Sequence, residues 1–514
     1  MTEEPRGWVT TVDVIPPTLN DNTADVDRLL NTLKTRLKTR LIEIDLSLVL
    51  EIPRLIRESA WSANCILFKD RDQWRLIDIR GKGDFRPIAG LAVDLGTSRV
   101  VLRLVDLATG SHIGERAFDN PQIAVGPDVL TRIHYAATSG GIENLNALIL
   151  DGLNREIGEL CGVAGISPRN IHIMTLAGNT TMTHLFMGLD PRWIIREPYI
   201  PVVNRPGLYR SSELGIDLHP RARVLIFPNV GSYFGGDLIS GILYSGLNTS
   251  EETALLVDVG TNAEVVVGNR HWLMACAGAA GPALEGGVTR MGMMAGPGVI
   301  DTVVIDSKTL EFQLGTIENK PPRGICGSGL IDLAAQLFIF GMVDFRGRLQ
   351  AAKCGSRYIE KDGMRHIVVV PEGEGAHGKP LYISQADLDS LIRSKAAMYT
   401  ILETITETVG LRLKDIEKFY VAGTFGSFIK PRSAISIGML PDLPIERYIP
   451  LGNSSLEGAT RVLTSPDVVD DIDGIRDRIT YMELNVNQEF MNRFSAAKFL
   501  PHTEKSLFPS VQIK

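Results

Sequence analysis

Residues 255–268, which read LLVDVGTNAEVVVG, decide the fold of this chain. An apolar run precedes Asp258-Val259-Gly260-Thr261 and a second apolar run follows, which is typical of a β-hairpin with a polar turn that contains glycine. Residues 91–102, LAVDLGTSRVVL, repeat the pattern around Asp94, which lies 164 positions (258 minus 94) before Asp258. Each turn brings backbone N–H groups, a hydroxyl and a carboxylate together, and these groups suit phosphates and Mg²⁺. Two such turns facing each other predict a two-sided phosphate clamp.

Composition indicates a soluble globular chain of several domains. The 514 residues are 44% hydrophobic and 22% charged, which is ordinary for two to four folded domains. A net charge of −7 argues against a nucleic-acid partner held by bulk electrostatics. No apolar run is long enough to cross a membrane, and Met1-Thr2-Glu3-Glu4 does not resemble a signal peptide. We therefore expect a cytoplasmic protein that binds neither nucleic acid nor membrane.

The cysteines predict neither a disulfide framework nor a cluster site. The chain has five cysteines, and no two of them form a C-x-x-C pair. An odd number without such spacing argues against disulfides, structural zinc and an intrachain four-cysteine iron–sulfur cluster. We expect buried or incidental thiols.

The chain is predicted to divide into four parts. Residues 1–88 have the pattern of a small α+β module, with one amphipathic helix and a pair of strands. Residues 89–245 contain the first hairpin, and residues 246–475 contain the second. Residues 476–514 are predicted to form a C-terminal helix, over 475–499, and a tail that pack on the core.

Two strand ends place polar residues where α/β folds bind ligands. The predicted strand 171–177 runs into Gly178-Asn179-Thr180, so that Asn179 or Thr180 either simply caps a helix or faces a ligand. The predicted strand 224–228 leads to Asp237 near a helix start, 21 positions (258 minus 237) before Asp258. Asp237 is accordingly either a helix-capping residue or a functional carboxylate beside the second hairpin.

Three glycine-rich segments follow the second hairpin. Residues 275–287, ACAGAAGPALEGG, form either a tightly packed turn or a loop that approaches a ligand or partner. Gly327 and Ser328 begin an amphipathic helix. The buried strand 418–422 runs into Gly423-Thr424-Phe425-Gly426, where glycines would let an adenine and ribose lie against backbone.

Together these motifs resemble the acetate and sugar kinase/Hsp70/actin superfamily of ATPases (ASKHA). The resemblance implies an α/β fold with two ribonuclease-H-like subdomains and a small N-terminal α+β linker-type domain. It implies a first phosphate motif at 94–98, a second at 258–262 and an adenosine motif at 422–427. It also implies connecting helices near 179–189 and 328–340.

Within that superfamily the chain resembles the reductive activators of corrinoid proteins (RACo-like proteins, the DUF4445 branch). The segments that carry this resemblance are AGNTTM at 177–182, VDVGTNAE at 257–264, AAGPALEG at 279–286, CGSGLID at 326–332 and AGTFGS at 422–427. The family implies an ATP-binding enzyme whose ATP hydrolysis drives reduction of cob(II)amide to cob(I)amide on a corrinoid methyltransferase protein. It also implies a homodimer.

The resemblance assigns roles to individual residues. Asp94 and Asp258 would hold Mg²⁺, mainly through water, and would belong with Asp237, as the candidate base, to the catalytic set. The residues implied to contact the nucleotide are Gly96, Thr97, Ser98, Gly260, Thr261, Asn262, Gly327, Ser328, Gly423, Thr424 and Gly426. The residues proposed to contact the corrinoid or its protein are Gly278, Ala279, Ala280, Gly281 and Glu285.

One departure from the family concerns the electrons. These activators usually carry a ferredoxin module, and no segment of this sequence resembles one. Because of this departure, we expect no iron–sulfur cluster in this chain. A ferredoxin-type donor, either a separate protein or a domain outside this sequence, would supply the electrons.

Three other functions stay open at this point. A small-molecule kinase of the same superfamily would need an acceptor pocket that the sequence does not reveal. An activator ATPase of a radical dehydratase would bridge a [4Fe–4S] cluster between subunits, for which Cys326 and Cys354 are the candidates. An Hsp70-like binding protein would need a peptide-binding domain after the ATPase, and no such pattern follows.

Overall fold

The computed structural model describes residues 7–71, 73–260, 263–278, 291–361, 363–423, 429–484 and 488–513. The strands within them, in chain order, are β1 (Val9–Asp13), β2 (Ile42–Ile44), β3 (Ser62–Asp70), β4 (Gln73–Gly81), β5 (Ala89–Leu95), β6 (Arg99–Asp106), β7 (His112–Asp119), β8 (Ile171–Gly178), β9 (Gly207–Arg210), β10 (Arg223–Ile226), β11 (Ala254–Val259), β12 (Ala263–Gly268), β13 (Leu273–Gly278), β14 (Val299–Ile305), β15 (Phe312–Thr316), β16 (Gly324–Ile325), β17 (Tyr358–Lys361), β18 (Met364–Val370), β19 (Leu381–Ser384), β20 (Lys418–Ala422), β21 (Tyr448–Gly452) and β22 (Ile479–Met482).

The α-helices of the described residues are α1 (Asp25–Leu37), α2 (Leu46–Val49), α3 (Ile52–Glu58), α4 (Val129–Ala136), α5 (Gly141–Ala164), α6 (Thr180–Phe186), α7 (Gly236–Ser245), α8 (Gly327–Ile339), α9 (Ala351–Cys354), α10 (Gln385–Thr408), α11 (Pro431–Ser436), α12 (Ser454–Thr464), α13 (Val469–Arg478) and α14 (Gln488–Ala497). No helix in this part of the chain combines the length and the apolar character needed to cross a membrane.

The chain forms two compact units, and the first consists of Met1–Gly246 and Ser454–Arg478. Its N-terminal part is a four-stranded sheet in the order β1-β3-β4-β2, covered by α1 to α3. Leu29 and Leu33 lie four positions apart on one face of α1, and both are fully buried against this sheet. The amphipathic pattern of the helix therefore creates the core of the small module.

A six-stranded sheet in the order β7-β6-β5-β8-β10-β9 forms the rest of the first unit. Strands β5, β6 and β7 are antiparallel, whereas β8 and β10 run parallel to β5. Successive side chains of a strand point to opposite faces. Leu91 and Val93 share a buried cluster with α5, whereas Asp94 on the other face meets α12, where Ser455 donates a hydrogen bond to it. Helices on both faces explain why β8 is buried along its whole length.

Helix α12 belongs to the first unit although it lies 208 positions (454 minus 246) beyond the end of the first segment. Thr175 Oγ1 on β8 donates to the Ala459 carbonyl at 2.9 Å, and Trp8 Nε1 donates to the Val462 carbonyl at 2.8 Å. The sequence-based boundaries keep 246–475 together. The structure instead returns residues 454–478 to the unit that holds the first hairpin, because α12 covers β5 and β8.

The second unit consists of Leu247–Asn453 and Ile479–Lys514. Its main sheet has the order β21-β20-β11-β12-β13-β22. Strands β11, β12 and β13 are antiparallel, and β20 and β21 run parallel to β11. Two three-stranded sheets, β15-β14-β16 and β17-β18-β19, accompany α8 and α10.

The predicted helix over 475–499 is wrong in its middle. Helix α13 ends at Arg478, and Ile479–Met482 instead form β22, which pairs in parallel with β13. The strand satisfies the backbone groups at the edge of the main sheet, which local helix propensity does not take into account. Farther on, the ammonium group of the fully buried Lys395 donates to the carbonyls of Phe499 and Pro501 at 2.5 and 2.6 Å. The tail therefore packs on the core of the second unit.

A charged junction joins the small sheet to the six-stranded sheet within the first unit. Asp78 on β4, His172 on β8 and His219 place three ligand atoms within 4.8 Å of one another. Arg221 donates to Asp78, and Arg80 Nη2 lies 3.4 Å from His172 Nε2. Because a cation there would face two guanidinium groups, the arrangement indicates an ion network rather than a metal site.

The histidines of this junction should make the stability of the protein pH-dependent. Burial, helped by the neighbouring His172, lowers the pKa of His219 from its ordinary 6.5 to about 4. Between pH 6.5 and about pH 4, His219 is protonated in the unfolded chain but neutral in the folded chain. The free energy of unfolding therefore falls as the pH is lowered. We expect a loss of about 2 kcal/mol from this group between pH 7 and pH 5, measured by urea unfolding at each pH.

H219Q should remove this part of the pH dependence, whereas H112Q, at an exposed histidine on β7, should leave it in place. A wild-type protein that loses no more stability than H219Q over this interval would contradict the assignment.

Candidate active site

The two aspartates of the repeated hairpins occupy equivalent positions in equivalent sheets. Asp94 lies near the end of β5, opposite Ala177 of the parallel strand β8. Asp258 lies near the end of β11, opposite Ala422 of the parallel strand β20. Each unit therefore places one half-buried carboxylate at the carboxyl edge of its sheet, where open α/β sheets bind ligands.

A glycine follows each of these alanines and lets the parallel strand approach closely. A Cβ added to Gly178 would lie 2.9 Å from the Leu95 carbonyl oxygen. One added to Gly423 would lie 3.0 Å from the Val259 carbonyl oxygen and 2.6 Å from Asp258 Oδ1. Gly423 also has a φ of +81°, which favours glycine.

The turn after β5, residues 96–98, is held in place by hydrogen bonds that its three carbonyl oxygens accept. Asn120 donates its side-chain amide to the Gly96 carbonyl and its backbone N–H to the Ser98 carbonyl, both at 2.9 Å. Arg132 Nη2 donates to the Thr97 carbonyl at 2.7 Å. The peptide bonds here are trans, so each carbonyl points away from the N–H of the following residue. The turn therefore presents backbone N–H groups on its other side.

Asn179 connects this turn to the start of α6. Its Nδ2 donates to Thr97 Oγ1 at 3.0 Å, and its Oδ1 accepts the Met182 N–H at 2.9 Å. The capping role predicted for Asn179 or Thr180 thus falls to Asn179, which at the same time orients the Thr97 hydroxyl. Because that hydroxyl accepts from Asn179, its own hydrogen is left for a donor role.

Ser455 is a contact of Asp94 that sequence reasoning missed. Its Oγ donates to Asp94 Oδ1 at 2.8 Å from the first turn of α12. The serine pair Ser454-Ser455 after Asn453 is a local signal for a helix start. No local signal shows that this start lies beside Asp94, since the two residues are 361 positions apart.

Asp237 lies in the first turn of α7, close to the loop that contains Asn179. The cap residue of α7 is Gly235, and Asp237 Oδ1 accepts the Leu238 N–H at 2.9 Å. A Cβ on Gly235 would lie 2.6 Å from Asp237 Oδ1 and 2.4 Å from Asn179 Cα, so Gly235 separates the two. Asp237 therefore stabilises the helix start as a first-turn residue and also lies at the edge of the sheet that carries Asp94.

Two buried polar atoms at this edge find no protein partner among the residues that the structure describes. They are Asn229 Oδ1, in the loop after β10, and Ser454 Oγ, beside Ser455. Buried polar atoms are normally hydrogen-bonded. This edge therefore fits a polar ligand or bound water.

In the second unit, Gly327 and Ser328 begin α8, and both are buried. Ser328 Oγ lies 3.2 Å from Cys326 Sγ, which also contacts the Ile300 carbonyl. Gly278 ends β13, and a Cβ there would lie 2.6 Å from Ile401 of α10, as expected for tight packing. The predicted site residues that lie outside the described residues are Thr261, Asn262, Ala279, Ala280, Gly281, Glu285, Thr424 and Gly426.

Comparison with protein families matches three consecutive models along the chain. Residues 2–86 match the RACo linker region, residues 89–250 match the RACo middle region, and residues 252–512 match the C-terminal domain of RACo, the ASKHA domain. The chain belongs to the RACo family. The predicted family and fold class, two ASKHA subdomains with a small linker-type domain, are thereby confirmed.

Named relatives of this RACo family member act on corrinoid proteins. The corrinoid activation enzyme RamQ of Eubacterium limosum is 31% identical over 431 residues, covering 82% of this chain and 72% of RamQ. The [Co(II) methylated amine-specific corrinoid protein] reductase of Methanosarcina barkeri is 22% identical over 434 residues, covering 78% and 75%.

A solved structure described as a reductive activator for corrinoid, iron–sulfur protein is 37% identical to this chain. It superposes with a TM-score of 0.88 and covers 99% of this chain and 82% of that one. The RACo fold therefore extends along almost the whole chain.

Replacing Gly423 by alanine should test its contact with Asp258. G423A adds a left-handed backbone strain of about 1–2 kcal/mol and a Cβ that collides with the carboxylate, for roughly 1–3 kcal/mol more. G410A is the matched control, because Gly410 has a φ of +74° with nothing within 4 Å of its Cβ position. We expect urea unfolding to show a larger loss for G423A than for G410A, and equal losses would contradict the contact.

Proposed function

We propose that this RACo family member is an ATP-dependent reductive activator of a corrinoid protein. One electron from an iron–sulfur donor converts cob(II)amide to cob(I)amide, and hydrolysis of ATP to ADP and phosphate drives the step. The observation that carries the proposal is the match along the whole chain to a family whose named relatives activate or reduce corrinoid proteins.

The energetic logic explains why hydrolysis is needed. Cob(I)amide forms only at a very low potential, so unaided electron flow favours the Co(II) state. A protein that binds the Co(II) form selectively shifts the population towards a more easily reduced state. Nucleotide hydrolysis then releases the complex, so that the activator can act again.

The turn geometry supports nucleotide binding by the chain's own residues. Thr97 and Ser98 offer N–H groups and a hydroxyl to phosphate oxygens. Gly423, whose lack of a side chain lets β20 approach Asp258, begins the segment that we propose contacts the adenosine. Asp94 and Asp258 would each hold Mg²⁺, mainly through water, as carboxylates do. Bound magnesium would neutralise charge on the phosphates.

Asp237 is the proposed base. Its carboxylate lies near Asn179 and at the same sheet edge as Asp94, where it would orient or deprotonate the attacking water. The hydrogen bond from Leu238 N–H fixes the direction of the carboxylate.

The electrons are proposed to come from a ferredoxin-type donor outside this chain. All five cysteines are buried, and they lie on β3, α5 and β13, at the cap of α8 and on α9. Cys326 and Cys354 each contact a different backbone carbonyl, of Ile300 and Met342. Buried, separately bonded thiols give no support to a cluster bridged between subunits.

We also propose that the protein is a homodimer, which light scattering tests directly. The loop 277–287 is the proposed contact with the corrinoid.

The decisive experiment combines the chain with a Co(II) corrinoid protein, a reduced ferredoxin and Mg-ATP under anaerobic conditions. We expect Co(II) absorbance to disappear only with ATP present and Co(II) corrinoid protein to stimulate ATP turnover. Persistence of Co(II) with every ferredoxin supplied would refute the proposal. ATP turnover that instead requires a small-molecule acceptor would indicate a kinase.

D237N should separate catalysis from helix stability. The asparagine Oδ1 still accepts the Leu238 N–H, so unfolding should be unchanged, whereas the rate of ATP hydrolysis should fall roughly 100-fold or more. ATP affinity should be retained. D389N, at an exposed position on α10, is the control. A wild-type hydrolysis rate in D237N would exclude Asp237 as the base.

A further inference from the structure

Arg132 is a fully buried cation that lies directly behind the turn after β5. It comes from α4, and none of its side chain is exposed. Its Nη2 reaches the Thr97 carbonyl at 2.7 Å, its Nε reaches the Gly126 carbonyl at 2.9 Å and its Nη1 reaches Gln122 Oε1 at 3.1 Å. All three oxygen acceptors are neutral.

The other buried arginines of the described residues each face a carboxylate. Arg28 pairs with Asp21 at 2.5 Å, Arg223 with Asp45 at 2.6 Å, and Arg80 lies 3.9 Å from Asp78. Within the part of the chain that the structure describes, no carboxylate lies at ion-pair distance from Arg132. Asp128, which caps α4, acts on the guanidinium only through its longer-range charge. Arg132 is therefore buried without a direct ion-pair partner, which is costly unless something else compensates it.

The Thr97 carbonyl, which accepts a hydrogen bond from Arg132, indicates how the buried charge could be compensated. The positively charged guanidinium polarises the Thr97 carbonyl. A polarised carbonyl makes the N–H of the same peptide a stronger hydrogen-bond donor. That N–H belongs to Ser98 and points to the opposite side of the turn. The structure gives no acceptor for the N–H groups of Thr97 and Ser98 among the residues it describes.

We propose that Arg132 is a positioning residue for an anionic phosphate group bound by the turn of residues 96–98, and that the phosphate completes its charge balance through the Thr97–Ser98 peptide. This rests on the proposed function for the identity of the ligand, a nucleoside triphosphate. The inference goes beyond that function because it makes the affinity for phosphate depend on Arg132, a residue that does not itself contact the ligand. Burial also lowers the pKa of Arg132 to about 10, and the charge of Asp128 only partly opposes this effect, as expected for a buried cation without an ion-pair contact.

The test measures binding of three probes, Mg-ATP, inorganic pyrophosphate and adenosine, by wild type, R132K and R132Q. Because a charge-assisted hydrogen bond is the strong kind, we expect ATP and pyrophosphate to bind roughly tenfold or more weakly to both variants. Adenosine affinity should stay unchanged. R223Q is the matched control, a buried arginine of the same unit with its own carboxylate, and it should retain all three affinities.

A readout on the wild type makes the test independent of whether the variants fold. Hydrogen exchange at the amides of residues 97 and 98 should slow on addition of pyrophosphate. Unchanged exchange, unchanged pyrophosphate affinity in a folded Arg132 variant, or a parallel loss of adenosine affinity would overturn the inference.

The outcomes also separate this inference from the proposed function. ATP turnover with normal phosphate affinity in R132K would refute only the role of Arg132. Pyrophosphate binding that depends on Arg132, in a protein that neither hydrolyses ATP nor activates a corrinoid protein, would refute only the proposed function.

Discussion

Hydrogen bonds between parallel strands, β5 with β8 and β11 with β20, determine where the edge aspartate of each unit lies. The register sets an aspartate opposite an alanine, and the glycine after that alanine lets its strand approach the residue after the aspartate, Leu95 in one unit and Val259 in the other. A shift of one residue would turn each aspartate to the other face of its sheet. The pairing of β5 with β8 sets the position of the Asp94 carboxylate, and the surrounding turns, caps and helix starts then contact it at that position.

The sequence was sufficient wherever the information is local. Both hairpins and the cap at Asn179 follow from periodicity and from residue types with a definite turn or capping chemistry. Asp94, Asp258 and Gly423 are predicted site residues because each stands at the end of an apolar run, where a polar or glycine residue has a specific geometric meaning. The role proposed for Asp237 does not follow from the sequence alone, because a first-turn carboxylate and a base next to a helix start have the same local pattern.

The contacts that sequence reasoning missed are those between distant segments. Ser455 reaches Asp94, and Asn120 and Arg132 reach the turn carbonyls, over 361, 24 and 35 positions respectively. Nothing in the composition of α4 shows that its single arginine, Arg132, is buried without an ion-pair partner. The error at 479–482 has the same origin, because the available edge of β13, rather than the propensity of Ile479–Met482, makes that segment a strand.

The return of α12 to the first unit has a consequence for biosynthesis. A chain that emerges from the ribosome N-terminus first completes β5 and β8 more than 270 residues (454 minus 178) before α12 exists. Until residue 464 has emerged, the part of that sheet which meets Ala459 and Leu463 lacks its α12 cover. Sheet surface left exposed in a nascent chain is prone to aggregate. The first unit to be started is thus among the last parts of the molecule to be finished, because it lacks α12 for most of translation.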